Sequence, residues 1–394
     1  MINVTNLLCG SLRSPEPKEA GLPEGVSRHK PVVIWNITRR CNLRCIHCYS
    51  DSTSEHYQGE LTLKECIDVI DDLSDYKVPA VRLSGGEPMM HPHFFDLVGY
   101  ASARGLCVSV STNGTRIDST AASKLKDLGV AHVGISLDAT GESHDAFCGR
   151  TGAFRKVVEA FRHCRGAGQK VGIRLTLSRQ TAGQLPQILR FIEDEDIPCV
   201  SFHHLSYNGR GSDLGHLGPE ETRACLRLIS DAVLRWHREG SPREVFTIDQ
   251  PADGAFFWLN TKRRNPKRAE EIWQLLNGNG GGVRGPGSGI SNIDSQGNVR
   301  PGPFWQTHAL GNVKDRPFSK IWKTARKNDL LTGLRERLPR LSGRCGDCRF
   351  QEFCGGGFRV RAVQIHGDPW AEDPGCYLRD YEIARDEPDL ALDS

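Results

Sequence analysis

No stretch of this chain approaches the ~18 consecutive apolar residues of a membrane-spanning helix. The N-terminus, Met-Ile-Asn-Val-Thr-Asn-Leu-Leu, lacks the basic start and long apolar run of a secretory signal, so a cytoplasmic protein without membrane contact is expected. Charge of one sign is missing too. The 51 Lys and Arg nearly cancel 48 Asp and Glu, leaving +3, so there is no electrostatic case for nucleic acid or an anionic surface. No internal repeat is apparent. What is there is a globular composition, 38% hydrophobic and 25% charged, in 394 residues, longer than one ordinary core and so suggesting two domains.

Cysteine is plentiful. Fourteen in a chain of this length and expected compartment point to metal or catalysis rather than disulfides. Cys41, Cys45 and Cys48 lie in C-N-L-R-C-I-H-C between a predicted strand and a predicted helix. Three thiolates on one short loop can hold three irons of a 4Fe–4S cluster and leave the fourth open to a small molecule. Zinc is the alternative, with His47 as fourth ligand. Near the C-terminus Cys345, Cys348, Cys354 and Cys376 supply four thiolates, enough to close a second cluster or a structural zinc site. Cys66, Cys107, Cys164, Cys199 and Cys225 sit in periodic apolar segments and read as small core residues. Cys9 and Cys148 have no partner by spacing.

From residue 32 the chain alternates β-branched runs (Val32–Ile37, Ala80–Ser84, Cys107–Thr112, Val133–Asp138, Val171–Leu177, Cys199–Leu205) with amphipathic stretches (Thr62–Leu73, Phe94–Arg104, Ser119–Leu128, Phe154–Arg165, Ala182–Glu193). This predicts an α/β fold, a partial (β/α)6 TIM-type barrel of right-handed βαβ units with a lateral opening, followed by a small Cys-rich iron–sulfur extension. Pro219–Glu239 reads as a closing helix. Residues 241–289 read as a Pro/Gly-rich connector containing basic Lys262–Lys267 and the glycine run Asn277–Gly289. Ile290–Val299 reads as a hairpin and Pro317–Arg326 as a short helix. The expected divisions are 1–30 as an N-terminal extension, 31–240 as barrel, 290–380 as the Cys-rich domain and 381–394 as a frayed acidic tail.

Polar motifs fall at predicted strand ends, where barrels place their chemistry. Ser84-Gly85-Gly86-Glu87-Pro88 follows the second strand; its glycines permit close backbone approach, and Glu87 suits an ammonium group. Ser111-Thr112-Asn113-Gly114 ends the third strand and Ser136-Leu137-Asp138 the fourth. Their hydroxyls, amide and carboxylate suit a ribose and a carboxylate, or helix N-caps. Arg174 can reach a ligand carboxylate or form a core salt bridge. His203, His204, Tyr207 and Arg210 lie at or after the sixth strand as substrate candidates, although adjacent His203 and His204 must point to opposite faces of a strand.

The C-x3-C-x2-C loop after a first strand, with G-G-E-P one strand later, resembles the radical S-adenosylmethionine (SAM) enzymes. The resemblance implies that Cys41, Cys45 and Cys48 hold a SAM-cleaving 4Fe–4S cluster, and that Gly85, Gly86, Glu87, Asn113, Ser136, Asp138 and Arg174 hold SAM. It implies homolysis of SAM to a 5′-deoxyadenosyl radical, with a reduced flavodoxin- or ferredoxin-type donor. The C-terminal cysteines resemble the SPASM/twitch extension, implying a second, closed 4Fe–4S cluster. That extension often has an upstream cysteine after a Gly-x-Val-x-Pro turn; Gly297-Asn-Val-Arg-Pro301-Gly-Pro-Phe-Trp305 has none, so no third cluster is expected.

Thr38-Arg-Arg-Cys41, Phe202-His-His-Leu-Ser-Tyr-Asn-Gly-Arg210, Leu310-Gly-Asn-Val313 and Cys354-Gly-Gly-Gly-Phe-Arg-Val-Arg-Ala resemble the haem-biosynthesis branch of these enzymes. They are similar to the NirJ type of haem d1 synthesis and the AhbC type of the siroheme-dependent haem route. Both imply a tetrapyrrole substrate, didecarboxysiroheme, losing propionates or having acetates converted to methyls. Pro301–Trp305 departs from the His-x-Asp-Gln-Phe-Trp pattern of both types. A peptide maturase and an iron–sulfur carrier without SAM chemistry are the alternatives; the G-G-E-P and ribose-facing positions argue against the carrier.

Overall fold

A computed structural model describes residues 1–10, 30–278, 285–324 and 328–385. Most of the expected N-terminal extension, the centre of the glycine run, the end of the Pro317–Arg326 helix and most of the acidic tail lie outside the described residues.

The expected βαβ units build the centre. Strands β1 (Ile2–Asn3), β2 (Val32–Thr38), β3 (Val81–Gly85), β4 (Val108–Thr112), β5 (His132–Ser136), β6 (Val171–Leu177), β7 (Cys199–His204), β8 (Glu244–Ile248), β9 (Ile290–Ile293), β10 (Asn298–Arg300) and β11 (Gly311–Asn312) form one sheet. Its order is β1-β8-β7-β6-β5-β4-β3-β2-β9-β10-β11. All pairs from β8 through β2 to β9 are parallel, and the sheet does not close on itself: it is a partial barrel.

Three expectations need correcting. Glu244–Ile248, read as connector, is a parallel strand beside β7, with β1 antiparallel on its far edge; helices Ala252–Arg264 and Pro266–Gly278 follow it. The strand is short and follows a polar Ser-Pro-Arg, but Val245 and Thr247 alternate onto the buried outer face beside Val200 and Phe202. The Ile290–Val299 hairpin is not separate either, because β9 extends the barrel sheet through β2. The acidic tail also starts later than expected. Glu382 is buried, its carboxylate bonded at 2.7 and 2.8 Å to Arg223 of helix Pro219–Arg238.

Local signals explain the helices. Thr62 and Glu65 form a reciprocal capping box that starts Leu63–Asp75, whose Cys66, Val69, Ile70 and Leu73 face the sheet. The outer strand face is apolar: Val81, Leu83, Val108, Val110, Val133, Ile135, Ile173, Leu175, Val200 and Phe202 are buried. The inner face alternates with it and is largely polar, with Arg82, Ser84, Ser109, Ser111, His132, Ser136, Arg174, Thr176, Ser201 and His203 all half-buried. Parallel strands buried on both faces would read as continuous apolar runs; here the alternation marks a barrel whose interior is built for polar contents.

Candidate active site

The three-cysteine loop leaves β2 and is locked to the turn after β3 by backbone. Gly86 N donates to Thr38 O (2.8 Å) and Glu87 N to Arg40 O (2.7 Å). A Cβ on Gly85 would stand 2.3 Å from Thr38 O, and one on Gly86 2.3 Å from Arg40 O. Only glycine permits that approach. The Glu87 carboxylate is fully buried and accepts from Met89 N, Thr112 Oγ1 and Asn113 N at 2.8–3.0 Å. Burial pushes its pKa up, against these hydrogen bonds. The side chain expected to meet an ammonium group braces one strand-end turn against the next.

Asn113 bonds Asn42 Oδ1 at 3.0 Å and points Nδ2 at Cys41 Sγ, 3.8 Å away. Asp138 is buried; its Oδ1 accepts from Thr176 N (2.8 Å) and its Oδ2 lies 3.8 Å from His47 Nε2. Neither caps a helix, since those caps are Asp118 and Thr140. Ser136 ends β5, opposite Arg174 in the register with β6. Cys41, Asn113, Ser136 and Asp138 thus gather at the C-terminal ends of neighbouring strands. Donors reach the sulfurs as well: Ser52 N lies 3.4 Å from Cys48 Sγ.

Helix Gly141–Cys148 supports the loop, with Arg44 N on Cys148 O and Ile46 N on Phe147 O, both 3.0 Å. Cys148, which spacing could not place, stands 3.4 Å from His144 Nε2. A hydrogen bond with Cys148 and burial push the Cys45 thiol well up, and burial pushes Cys41 up to about 12. Iron would have to displace those protons.

The substrate candidates separate. His203 faces the barrel interior: its Nε2 accepts from Arg174 Nε and Nη2 at 3.3 Å, and its Nδ1 lies 3.4 Å from Asp249 Oδ2. Burial, then the Arg174 charge, lowers it to about 4, so the ring is neutral with its proton toward Asp249. His204 points the other way, 2.9 Å from fully buried Asp253, which also holds Tyr377. Tyr207 is buried at φ +62° between His216 and the Arg361 guanidinium. Arg210 clamps the cysteine loop: Nε donates to Cys45 O at 2.9 Å, Nη2 to Ser52 O at 3.2 Å, and its own N to Cys48 O at 3.1 Å. The expectation that His204, Tyr207 and Arg210 face a substrate is therefore corrected. Strand alternation turns the first away, packing takes the second, and the third supports the loop.

Cys345, Cys348, Cys354 and Cys376 line one cavity, each thiol pushed up chiefly by burial. Among the described residues no three His, Cys, Asp or Glu converge on a single-ion position; the thiols surround a space. Arg359 Nη2 lies 3.8 Å from Cys345 Sγ and Phe350 N 3.4 Å from Cys348 Sγ. Arg361 joins this region to the barrel. It pairs with Asp373 at 2.7 Å, both side chains 1% exposed, and donates to Leu205 O (3.2 Å) and Asp249 O (3.0 Å). The Pro301–Trp305 segment covers the loop, Phe304 lying 4.9 Å from the Tyr49 ring and 5.6 Å from Phe358.

The Radical SAM superfamily profile matches residues 35–192. The Fe-coproporphyrin III synthase of Methanosarcina barkeri is 39% identical over 397 residues, covering 97% of this chain and 99% of that protein. The chain belongs to the radical SAM superfamily. Membership implies a 4Fe–4S cluster and SAM, and the three cysteines on one loop, with donors aimed at their sulfurs, fit the cluster. The pre-heme d1 synthase of Dinoroseobacter shibae is 40% identical over 354 residues, 89% of this chain and 86% of that protein. Among solved structures, native anSMEcpe with bound AdoMet and Cp18Cys peptide aligns with a TM-score of 0.68 at 20% identity, covering 88% of this chain and 93% of that one. This last likeness concerns the fold alone.

Proposed function

We propose that this radical SAM enzyme modifies carboxylate side chains of an iron tetrapyrrole, didecarboxysiroheme, in haem d1 or alternative haem biosynthesis. The observation that carries the reading is near-full-length identity of 39% to a protein named for iron coproporphyrin, with comparable identity to one named for haem d1. Cys41, Cys45 and Cys48 would hold the SAM-cleaving cluster, and the backbone of Gly85–Gly86 with Asn113, Ser136 and Asp138 would seat SAM beside it. Held there, the cluster and SAM would supply one-electron reductive chemistry for removing hydrogen from carbon.

The chain's own residues orient and shield. Glu87 fixes the G-G-E-P turn to the end of β4, Arg210 and helix Gly141–Cys148 hold the loop from two sides, and Phe304 covers it. Four cysteines around one cavity, with Arg359 directed at one sulfur, fit a second 4Fe–4S cluster closed by protein ligands. A reduced flavodoxin- or ferredoxin-type protein would supply electrons. An anaerobic reaction of reconstituted enzyme with SAM, reductant and didecarboxysiroheme tests the reading. Mass spectrometry should show side-chain mass loss in step with 5′-deoxyadenosine; an unchanged tetrapyrrole alongside turnover of a peptide would replace it with the maturase.

A further inference from the structure

The barrel interior holds guanidinium and imidazole donors that lack charged acceptors of their own. Arg174 leaves β6 and crosses over Gly134, where a Cβ would meet its Cδ at 2.8 Å, so the missing side chain opens the path. Its guanidinium ends on Ser111 Oγ and His203 Nε2, neutral acceptors both. Arg82 projects from β3 into the same space, close enough to oppose the charge on Arg174 and on both His132 and His203. Among the described residues Arg82 makes no hydrogen bond or ion pair. His132 Nε2 is buried without a partner. Two carboxylates act on Arg174, Asp249 and Asp138, and each is already engaged, Asp249 facing His203 and Asp138 accepting from Thr176 N. One guanidinium is bonded only to neutral groups and the other to none among the described residues, so a bound anion would supply the acceptor that both lack.

We propose that Arg82 and Arg174, with His132 beside them, form an anion seat inside the barrel that takes one carboxylate arm of the substrate. This rests on the tetrapyrrole reading and adds to it the residue that selects for the arm. Arg174, which the resemblance assigns to SAM, is turned across Gly134 onto Ser111 and His203 and would hold its place there, while Arg82 supplies the free donors. Arg82 and His132 stand at the starts of β3 and β5, below the strand ends where SAM would lie, so the arm would reach down the barrel and hold the ring above it.

The test uses reconstituted holoenzyme, iron coproporphyrin III and its tetramethyl ester, followed by the shift of the tetrapyrrole absorption. Wild type should bind the tetra-acid more tightly than the ester. Arg82→Gln should weaken tetra-acid binding by about 10- to 100-fold, as expected for a lost charge-assisted contact, leave ester binding unchanged, and keep iron content and SAM affinity. Arg82→Lys should fall between them, and it carries the test if the Gln variant loses iron. Equal binding of the tetra-acid by wild type and Arg82→Gln would overturn the seat, as would a loss confined to SAM binding. Wild type that binds acid and ester alike leaves the tetrapyrrole reading standing and removes the seat. Wild type that binds neither overturns the seat, and the reaction with didecarboxysiroheme then decides the tetrapyrrole reading by itself.

Discussion

The two groups of cysteines are held in opposite ways. Cys41, Cys45 and Cys48 share one loop, and the barrel reaches out to them: Gly86 and Glu87 through backbone, Arg210 from after β7, and Cys148 from the helix after β5. The other four come from separate short segments wrapped around a cavity, which Arg361 and Asp373 pin to the ends of β7 and β8. Three ligands on a loop would leave a metal position open to a small molecule; four ligands around a space would leave none. An open centre needs its loop braced from outside, because nothing fills the missing corner. A closed centre needs its segments tied together, because no single turn positions them.

The largest effects should separate the two. Cys45→Ala should abolish reductive cleavage of SAM, while the protein keeps about four of about eight irons. Cys345→Ala should cost the other half and leave SAM cleavage measurable. Iron and sulfide analysis with chromatography of 5′-deoxyadenosine reads both, and SAM cleavage lost equally in the two variants would break the contrast.

Breaking the tie should come next. Arg361→Ala leaves Asp373 buried without its cation and should destabilise the fold by about 3–5 kcal/mol in chemical denaturation. Asp373 sits below the usual carboxylate range because Arg361, aided by Arg359 and the Phe358 N–H, outweighs burial. On the open side, Gly86→Ala drives a methyl against Arg40 O and should cost on the order of 1–3 kcal/mol, with reduced SAM affinity. Arg210→Ala should hasten loss of iron from the three-cysteine loop and spare the other centre; equal loss from both would contradict its assigned role.

A pH dependence concerns the interior between them. His203 is held at about 4, below its unfolded value near 6.5, so the unfolded chain takes up the proton first as pH falls. The stability tied to its neutral form is present above pH 6.5, declines below it and is gone below about 4, at no more than about 1.4 kcal/mol per pH unit for this group. His203→Gln should flatten that part of the profile. His91 and His132, also held at about 4 chiefly by burial, keep theirs and serve as the internal reference.

What was legible in the sequence follows the same division. The loop spacing, G-G-E-P and the polar strand ends are local patterns, and the structure brings them together. The supports are contacts between distant parts of the chain and leave no local mark. Arg210 resembles a pocket residue until its bond to Cys45 O is seen. Cys148 has no partner by spacing because its partner belongs to a loop more than ninety positions earlier. The period of two did foretell that His203 and His204 diverge, though not that Asp253 holds the outer ring. Strand β8 escaped because five residues after a polar turn give little periodicity, and its membership is settled by pairing with β7 and β1.

One measurement tests the contrast most directly: electron paramagnetic resonance of the reduced holoenzyme, recorded with and without SAM. Two signals are expected. One should shift when SAM is added and vanish in Cys45→Ala; the other should ignore SAM and persist in that variant. Stoichiometric zinc in place of the second signal, or two signals that both move with SAM, would contradict an open centre beside a closed one.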